Sequence, residues 1–391
     1  MQLDEVQTRV VESIISDLEQ GKKIITLGGY AGTGKTTLIK YLVSVLDGWD
    51  VAAFTGKAVS VLKKKGVQAN TIHQTIYKPV GEAPRPHEVD LSKPDNEDVG
   101  FAYNPSFGSG FIIDESSMVT QQIYNDLTRS NRPIIFVGDH GQLPPVQADN
   151  VNNFNIMKSP DYRLEKLHRN AGPIAVFAQH LRNGGSPKEY RSDSNKVVIT
   201  DAQHIPDYEL VKSDAILCDT NKNVMVINKH IRTLKKYRER LVVGEKLMVL
   251  QNYYPYFFNG ESITVDDIYY STNDFYNILC SKSDIESDEK TENDYHQIDI
   301  NSHQFHNTKT ITCPPYLRNE KDELYENPDF VLPCQYGYAM TVHKSQGSEF
   351  NQVCVADYLY SQRFSPMHKN YAKWAYTAAT RAKEKLFWVN C

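Results

Sequence analysis

Short apolar runs alternate along the chain with stretches whose apolar residues recur at helical spacing. The first helical stretch carries apolar positions from Val6 to Leu18 and ends at Gly21. A short apolar run at residues 24–27, followed by a glycine-rich loop, predicts a buried strand, and three apolar runs that end in polar residues, at 51–55, 111–114 and 133–139, predict three more. Helical stretches, the first of them at residues 38–46, separate these runs. This order is typical of a parallel α/β sheet, which binds ligands at the carboxyl ends of its strands.

The same alternation returns later in the chain, with strands predicted at residues 215–218, 353–355 and 386–389 and helices at 221–240 and 371–380. Two stretches interrupt it. Proline, glycine, aspartate and asparagine collect between about residues 78 and 110, which indicates a small inserted module. Aromatic and β-branched residues, with a turn at Asn259-Gly260, predict a mostly β insertion further on.

The pattern therefore predicts an α/β protein with two units of parallel sheet, each carrying a small insertion. We place the first unit at residues 1–75 and 109–165, with its insertion at 76–108. The second unit covers residues 166–243 and 334–391, with its mostly β insertion at 244–333.

A phosphate-binding motif stands between the first predicted strand and the next helix. Residues 29–36 read GYAGTGKT and fit G-x-x-x-x-G-K-[ST], whose backbone N–H groups close around phosphates. Lys35 can reach the β- and γ-phosphates of ATP, and the Thr36 hydroxyl can bind Mg²⁺. A glycine-rich turn that ends in lysine by chance is the alternative, which the flanking elements disfavour. We assign ATP binding here to Gly29, Ala31, Gly32, Thr33, Gly34, Lys35, Thr36 and Thr37.

Two adjacent carboxylates, Asp114 and Glu115, end the strand at residues 111–114. A P-loop ATPase needs one acid to hold Mg²⁺ and a second to deprotonate the attacking water. Asp114 suits the first role and Glu115 the second. These two motifs predict a nucleotide hydrolase, but kinases, small GTPases and transport ATPases use the same parts.

Composition narrows the class of protein. The net charge of −5 in 391 residues is unlike that of a protein that coats DNA by bulk electrostatics. The six cysteines form no Cys-x-x-Cys pair, which argues against a zinc, iron–sulfur or disulfide framework and fits a reducing cytosol. An acidic N-terminus and the lack of an apolar run of about 20 residues predict neither a signal peptide nor a membrane partner. We expect a cytoplasmic protein, in the host cytosol if a phage encodes it.

Further motifs decide between the P-loop classes. They read GDHGQLPPV at 138–146, TVHKSQGSE at 341–349 and YTAATRAK at 376–383, with FTGKA at 54–58, TIH at 71–73 and DESSM at 114–118. In this order they resemble superfamily 1B DNA helicases, in the RecD-like branch that includes the phage Dda type. The resemblance runs from Gln7 to Lys383 and implies two RecA-like motor domains, with a strand-splitting hairpin in the first insertion and an SH3-like fold in the second.

The resemblance also implies roles in ATP hydrolysis. Gln7 matches a glutamine that reads adenine, although a surface glutamine on an amphipathic helix is the alternative. Gln142 matches the sensor of the γ-phosphate, and Arg381 matches an arginine that neutralises transition-state charge. Arg169 looks like a second such arginine, with a surface salt bridge as its alternative. The predicted catalytic set is Lys35, Glu115, Gln142, Arg169 and Arg381.

Nine residues match positions that contact the DNA strand in this branch. They are Thr55, Lys57, Thr71, His73, Pro144, Thr341, His343, Lys344 and Ser345. Hydroxyls, imidazoles and ammonium groups suit phosphate oxygens, so we expect little sequence preference. A structural role is the alternative for His73 and His343, and a rigid turn is the alternative for Pro144. Phe54 departs from the family, which more often has proline there.

Two roles are open for the aromatic residues of the two insertions: stacking on DNA bases or packing within the protein. Phe101, Tyr103 and Phe107 are candidates for a wedge that stacks on the last base pair, or they pack the insertion onto the motor. The aromatic run at residues 253–258 is better explained by a β core than by base stacking.

The sequence thus predicts an ATP-dependent DNA helicase that moves 5′-to-3′ on single-stranded DNA and unwinds forked duplex DNA, with ATP and Mg²⁺ as cofactors. A translocase that displaces bound proteins without efficient unwinding has the same motifs and stays open. A nucleotide kinase or GTPase leaves Gln142, Lys344 and Arg381 unexplained. We expect a monomer, with replication proteins of the host or phage as candidate partners.

Overall fold

The structure is a computed structural model that describes residues 3–79, 101–103, 108–145, 154–166, 172–192, 194–238, 240–251, 253, 256–257, 259–272, 274–283, 290–311, 316–318, 324–326, 331–359 and 370–391. Among these residues, no helix is long and apolar enough to cross a lipid bilayer.

The elements of the first unit are α1 (Glu5–Glu19), β1 (Ile24–Gly29), α2 (Lys35–Val45), β2 (Trp49–Ala53), α3 (Gly56–Lys64), β3 (Asn70–Thr71), α4 (Ile72–Ile76), β4 (Tyr77–Pro79), β5 (Phe101–Tyr103), β6 (Gly110–Asp114), α5 (Gln121–Thr128), β7 (Ile134–Gly138) and β8 (Tyr162–Leu164). Six of the strands form a parallel sheet with strand order β3-β2-β6-β7-β1-β8. A short antiparallel pair, β4 with β5, stands at the base of the first insertion.

The elements of the rest of the chain are α6 (Gly172–Arg182), β9 (Val197–Asp201), α7 (Asp207–Lys212), β10 (Ala215–Cys218), α8 (Asn221–Leu234), β11 (Lys246–Val249), β12 (Ser262–Ser271), β13 (Phe275–Lys282), β14 (Tyr295–Asn301), β15 (Tyr316–Arg318), β16 (Leu324–Glu326), β17 (Cys334–Tyr336), β18 (Ala339–Thr341), β19 (Phe350–Asp357), α9 (Tyr371–Ala379) and β20 (Ala382–Asn390). They include a five-stranded parallel sheet, β18-β10-β19-β20-β9, and an antiparallel sheet, β14-β13-β12-β11-β17.

The predicted fold class is confirmed, because both α/β units are built on parallel sheets. Four strands of the antiparallel sheet stand where the mostly β insertion was expected, and its fifth, β17, lies just beyond the predicted end. The core of this sheet includes the fully buried Phe257 from the aromatic run. Its likeness to an SH3 fold stays a prediction, as do the unit boundaries.

One helix ends earlier than its pattern predicts. Apolar spacing predicts a helix to residue 240, but α8 stops at Leu234. Lys236 adopts a left-handed conformation with φ 59°, and the Tyr237 N–H donates back to the Arg232 carbonyl at 2.9 Å. This bond closes the helix end as a Schellman motif does, so the polar and basic residues beyond it leave the helix axis.

The two α/β units pack directly against each other. Leu143, from the loop after β7, lies in the apolar core of the second unit. Tyr30 and Ala31, from the loop after β1, pack against that same core. The phosphate-binding loop therefore lies at the junction between the units.

Candidate active site

Three neighbouring strands of the first sheet, β6, β7 and β1, bring the candidate residues together. The loop at residues 29–36 begins at the end of β1, Asp114 ends β6 with Glu115 directly after it, and the loop at residues 139–145 follows β7. Because these strands are parallel, their carboxyl ends meet at one edge of the sheet. The site is therefore assembled at the edge that the sequence pattern predicts.

Glycines shape the phosphate-binding loop. Gly32 and Gly34 have φ values of 79° and 83°, in the left-handed region that favours glycine. Gly34 is the N-cap of α2 and supplies no side-chain cap to it. Because glycine has no side chain, the N-cap residue does not occupy the first N–H groups of α2. A helix terminus that binds an anion needs these groups uncapped. Lys35 Nζ donates to the Gly29 and Tyr30 carbonyls, at 2.8 and 3.1 Å.

Gln7 is buried beside this loop, with only 3% of its surface exposed. Its Nε2 donates to the Thr33 carbonyl at 3.4 Å, and its Oε1 accepts from the Asp4 N–H at 3.2 Å. The surface-glutamine alternative does not describe this position. The predicted contact with adenine stays a prediction.

Glu115 stands in a strained position beside Asp114. Its φ of 54° is left-handed, which is rare for a residue with a side chain, and such residues cluster at functional sites. Burial raises the pKa of Asp114. Burial and the neighbouring Asp114 carboxylate raise the pKa of Glu115 to about 7, against the opposing charges of Arg381 and Lys35. A carboxylate with a pKa near neutrality suits a general base.

The oxygen donors at the site fit a magnesium ion. Thr36 lies in the first turn of α2, and its hydroxyl accepts from Lys65 Nζ at 3.4 Å. The Asp114 carboxylate ends the neighbouring β6, and its Oδ1 accepts from the Glu115 N–H at 2.9 Å. Mg²⁺ prefers hard oxygen ligands and is usually held by one or two protein groups together with substrate phosphates.

Asp139 organises the loop after β7. This carboxylate is buried and accepts from the Gly141 N–H at 2.9 Å and from Gln142 Nε2 at 3.4 Å. Gln142 Oε1 is also buried and has no hydrogen-bond partner among the described residues. A buried carbonyl oxygen without a partner costs free energy. Gln142 Oε1 therefore fits a group that accepts a hydrogen bond from the reacting species or its water.

The second unit reaches into this site through α9. The Tyr376 hydroxyl donates to Asp139 Oδ2 at 2.6 Å and accepts from the Ala31 N–H at 2.8 Å. Thr377 Oγ1 accepts from the Leu143 N–H at 3.0 Å, and Gln346 Nε2 donates to the Leu143 carbonyl at 2.9 Å. Both the phosphate-binding loop and the loop that carries Gln142 are therefore bonded to the second unit.

An aromatic cluster extends this contact. The Tyr30 ring lies 4.1 Å from the His140 ring, and the Arg182 guanidinium lies 3.4 Å from the centroid of Tyr30. Burial lowers the pKa of Arg182, and its Nη1 has no hydrogen-bond partner among the described residues. An arginine over an aromatic face is attracted by the ring quadrupole. This cation belongs to α6 of the second unit.

Sequence reasoning assigned no role to Tyr376, Thr377, Asp139 or Gln346, although all four stand inside its motifs. Arg182 gave no signal at all, because it lies in an ordinary amphipathic helix. Contacts between units are made by residues far apart in the chain, and no spacing pattern reports them.

Arg381 is buried and held by its own unit. Its guanidinium donates to the Thr377 and Ser348 carbonyls at 3.1 and 3.0 Å and to Thr380 Oγ1 at 3.0 Å. Its charge lowers the pKa of Glu115, so it lies on the site side of the second unit. Arg169 lies outside the described residues.

The candidate DNA contacts of the first unit lie at helix starts. Thr55 caps α3 by accepting from the Ala58 N–H at 3.2 Å, and Thr71 caps α4 by accepting from the Gln74 N–H at 3.2 Å. Burial lowers the pKa of His73, whose ring lies 5.8 Å from that of Tyr77. The side chain of Lys57 lies outside the described residues.

The candidates of the second unit cluster after β18. Thr341 Oγ1 accepts from the Lys344 N–H at 3.3 Å, and the buried Ser345 hydroxyl donates to the Val342 carbonyl at 2.7 Å. Ser345 therefore holds the turn in this structure. Burial lowers the pKa of His343 and of Lys344.

The two sets of DNA candidates meet at one glycine. A Cβ atom on Gly347, which follows the candidates after β18, would lie 2.7 Å from Thr55 Oγ1. Pro144 is half-buried in the loop that carries Gln142. The fold thus brings Thr55 beside the turn after β18, while the DNA contacts themselves stay predictions.

Of the wedge candidates, only the side chain of Tyr103 falls within the described residues. Tyr103 pairs with Tyr77 across β4 and β5, and the Arg129 guanidinium lies 5.0 Å from its ring centroid. Burial raises the pKa of the Tyr103 hydroxyl. These contacts favour packing against α5 for Tyr103.

Comparison with known families decides the membership of the chain. A family model described as an AAA domain matches residues 2–202, which span the phosphate-binding loop, Asp114, Glu115 and Gln142. The chain belongs to the AAA domain family. A second model, the UvrD-like helicase C-terminal domain, matches residues 336–389, which include Tyr376 and Arg381. The last part of the second unit is therefore similar to that helicase domain.

Relatives support the same placement. The ATP-dependent DNA helicase dda of Enterobacteria phage T4 is 27% identical over 278 residues, which cover 64% of this chain and 61% of that relative. The ATP-dependent RecD2 DNA helicase of Deinococcus radiodurans is 29% identical over 198 residues, covering 47% of this chain and 24% of the relative. The matched part thus spans less than two thirds of either relative. The predicted place among superfamily 1B helicases of the RecD-like branch is confirmed.

Solved structures share the fold along the whole chain. A structure of Pif1 helicases at forked double-stranded DNA has a TM-score of 0.57 at 18% identity, and the match covers 100% of this chain and 92% of that one. Pif1 from Bacteroides with ADP-AlF3 and single-stranded DNA has a TM-score of 0.54 at 18% identity, covering 99% and 92%. The two-unit α/β architecture is therefore that of known helicase structures.

Proposed function

We propose that this chain is an ATP-dependent DNA helicase that moves 5′-to-3′ along single-stranded DNA and unwinds forked duplex DNA. The observation that carries the proposal is the contact of the second unit with the ATP site through Tyr376, which bonds both Ala31 N–H and Asp139. An ATP site built from two units can couple nucleotide turnover to their relative movement. The helicases dda and RecD2 among the relatives support the same activity.

ATP hydrolysis uses the groups at the carboxyl edge of the first sheet. In the proposal, Gln7 binds adenine and the loop at residues 29–36 binds the phosphates. Thr36 and Asp114 would hold Mg²⁺, which would supply positive charge to the phosphate oxygens. Glu115 takes the proton of the attacking water, and its pKa of about 7 matches that task.

Three further groups respond to the γ-phosphate in the proposal. Gln142 offers a buried Oε1, without a partner among the described residues, that can accept from the attacking water beside the γ-phosphate. Arg381 supplies positive charge from the second unit, as its effect on Glu115 indicates. Arg169 is proposed to add a second guanidinium from the chain before α6. Charge of this kind stabilises the transferred phosphoryl group in P-loop enzymes.

Single-stranded DNA is proposed to lie across the junction of the units. Thr55 of the first unit and the turn after β18 of the second unit lie in contact there, at Gly347. The proposed contacts at this junction also include Lys57, Thr71, His73, Pro144, Thr341, His343, Lys344 and Ser345. Ser345 enters through the turn that it holds, because its own hydroxyl is buried.

The test is ATP turnover with and without single-stranded DNA, together with strand displacement from duplexes that carry either a 5′ or a 3′ tail. We expect strong stimulation by DNA and displacement from the 5′-tailed duplex. Stimulation without displacement would favour a translocase that strips proteins from DNA. Displacement from the 3′ tail alone would contradict the proposed direction, and turnover indifferent to DNA would contradict the helicase.

The proposal includes action as a monomer. Light scattering of the DNA-bound protein checks it, since a monomer predicts one copy per single-stranded oligonucleotide of minimal length. Binding to replication proteins of a host or phage stays a prediction from the sequence.

A further inference from the structure

One tyrosine hydroxyl joins three parts of the ATP site. Tyr376, on α9 of the second unit, is almost fully buried. Its hydroxyl accepts from the Ala31 N–H of the phosphate-binding loop at 2.8 Å and donates to Asp139 Oδ2 at 2.6 Å. A bond of this length to a carboxylate is among the stronger hydrogen bonds in proteins.

Asp139 passes this contact on to Gln142. The same carboxylate oxygen, Oδ2, accepts from Gln142 Nε2 at 3.4 Å, while Oδ1 accepts from the Gly141 N–H at 2.9 Å. Gln142 is thereby turned so that its amide nitrogen faces Asp139. Its Oε1 is the end that has no partner among the described residues.

The neighbouring residue fastens the far end of the same loop. Thr377 Oγ1 accepts from the Leu143 N–H at 3.0 Å, directly after Gln142 in the chain. The loop that carries Gln142 is therefore linked to α9 by a hydrogen bond on each side of Gln142, through consecutive residues of that helix.

We propose that Tyr376 is a positioning residue, which sets Gln142 through Asp139 so that ATP hydrolysis is fast only when the second unit is docked on the phosphate-binding loop. This inference rests on the proposed function. It gives the second unit a means of controlling hydrolysis that is separate from the charge of Arg381.

The same helix offers a matched control. The Tyr371 hydroxyl donates to Asp357 Oδ2, also at 2.6 Å, and both residues are buried. This pair lies wholly within the second unit. Tyr376→Phe and Tyr371→Phe therefore remove the same hydroxyl from the same kind of bond on one helix, but only the first bond joins the units.

The experiment compares ATP turnover of the two variants and of the unmodified chain, with saturating single-stranded DNA. We expect Tyr376→Phe to lower kcat roughly 10- to 100-fold, which is the effect of losing one hydrogen bond to a charged group. KM for ATP should change less than about threefold, because the nucleotide-binding groups remain. Tyr371→Phe should keep the kcat of the unmodified chain and lower only its thermal stability.

A second background tests the route through Gln142. In a chain with Gln142→Ala, the further change Tyr376→Phe should lower kcat by less than about threefold, because its target is already lost. Asp139→Asn weakens the bond from its other side, so it supplies a second variant if Tyr376→Phe does not fold. It should show the same separation of kcat from KM.

Three results would overturn the inference: an unchanged kcat in Tyr376→Phe, an equal loss of kcat in Tyr371→Phe, or full additivity with Gln142→Ala. Failure of the proposed function is seen elsewhere, in an unmodified chain whose turnover ignores DNA. The two failures are therefore distinguished by which protein departs from expectation.

Discussion

The two parallel sheets place similar groups at their carboxyl ends but use them differently. After β1, five residues lead to α2, and Gly34 begins that helix without a side-chain cap. After β10, only Asp219 and Thr220 intervene before α8, and Thr220 Oγ1 caps it by accepting from the Asn223 N–H at 3.3 Å. The N-terminus of α2 therefore has no side-chain cap, whereas the N-terminus of α8 is capped by Thr220.

Carboxylates at the strand ends show the same contrast. Asp357 ends β19, and its buried carboxylate accepts from the Tyr371 hydroxyl, Trp388 Nε1 and the Leu359 N–H at 2.6, 3.1 and 3.1 Å. In the first sheet, Asp114 ends β6 and Glu115 follows it, and burial raises the pKa of both. A carboxylate that protein donors satisfy is structural, whereas one with a raised pKa in a cleft is poised for chemistry.

This comparison separates architecture from function. Strand, loop and helix recur in both sheets, and a parallel sheet by itself only gathers polar groups at one edge. Chemistry arises where the protein leaves those groups unsatisfied. Substitutions at corresponding positions of the two sheets should therefore affect turnover in the first sheet and stability in the second.

The largest expected effect is on the lysine that begins α2. Lys35→Ala should lower ATP turnover roughly 1,000-fold or more, because the charge that neutralises the phosphates is lost. Lys222, in the first turn of α8, is exposed and is the matched control. Lys222→Ala should turn over ATP at the unmodified rate in the same steady-state assay. Full turnover in Lys35→Ala would show that the site has been placed in the wrong sheet.

Substitutions of the carboxylates at the strand ends of the two sheets should have opposite effects on turnover and stability. Glu115→Gln should bind ATP but hydrolyse it roughly 100-fold more slowly or worse, as for loss of a general base, with thermal stability little changed. Asp357→Asn should instead cost about 1.5–3 kcal/mol of unfolding free energy, because it weakens hydrogen bonds to a buried charge. Turnover and denaturant unfolding of both variants check this crossover. A stable Asp357→Asn with impaired turnover would contradict it.

The smallest effect concerns the closed helix terminus. Thr220→Ala removes the N-cap of α8 and should lower the unfolding free energy by about 1 kcal/mol. ATP affinity should not change, since no phosphate is expected at that terminus. Thermal unfolding and titration with a fluorescent ATP analogue separate the two effects. Weaker nucleotide binding would mean that both sheets contribute a phosphate site.

The local pattern of apolar and polar residues predicted most of the fold and most of the part of the site that the first unit contributes. The predicted strand at residues 215–218 coincides with β10, because a short apolar run between polar flanks has few alternatives. The P-loop and the acid pair were found because each is contiguous in the chain. The helix predicted to residue 240 was too long. Its end depends on the left-handed conformation of Lys236, which the polar residues after Leu234 do not indicate in the sequence.

Contacts between the units could not be predicted in this way. Tyr376 and Asp139 were both inside recognised motifs, yet their hydrogen bond joins residues from separate sheets. Arg182 lies over Tyr30 only because α6 packs at the junction. Such pairs depend on the relative position of two completed units, which periodicity within either unit does not contain.

Gly347 lies where the turn after β18 meets Thr55 of the first unit. It lies against Thr55 so closely that even a methyl group would meet the threonine hydroxyl at 2.7 Å. The close approach of Thr55 to the turn after β18 therefore depends on a missing side chain, and any larger residue at position 347 would force one of these two segments to shift.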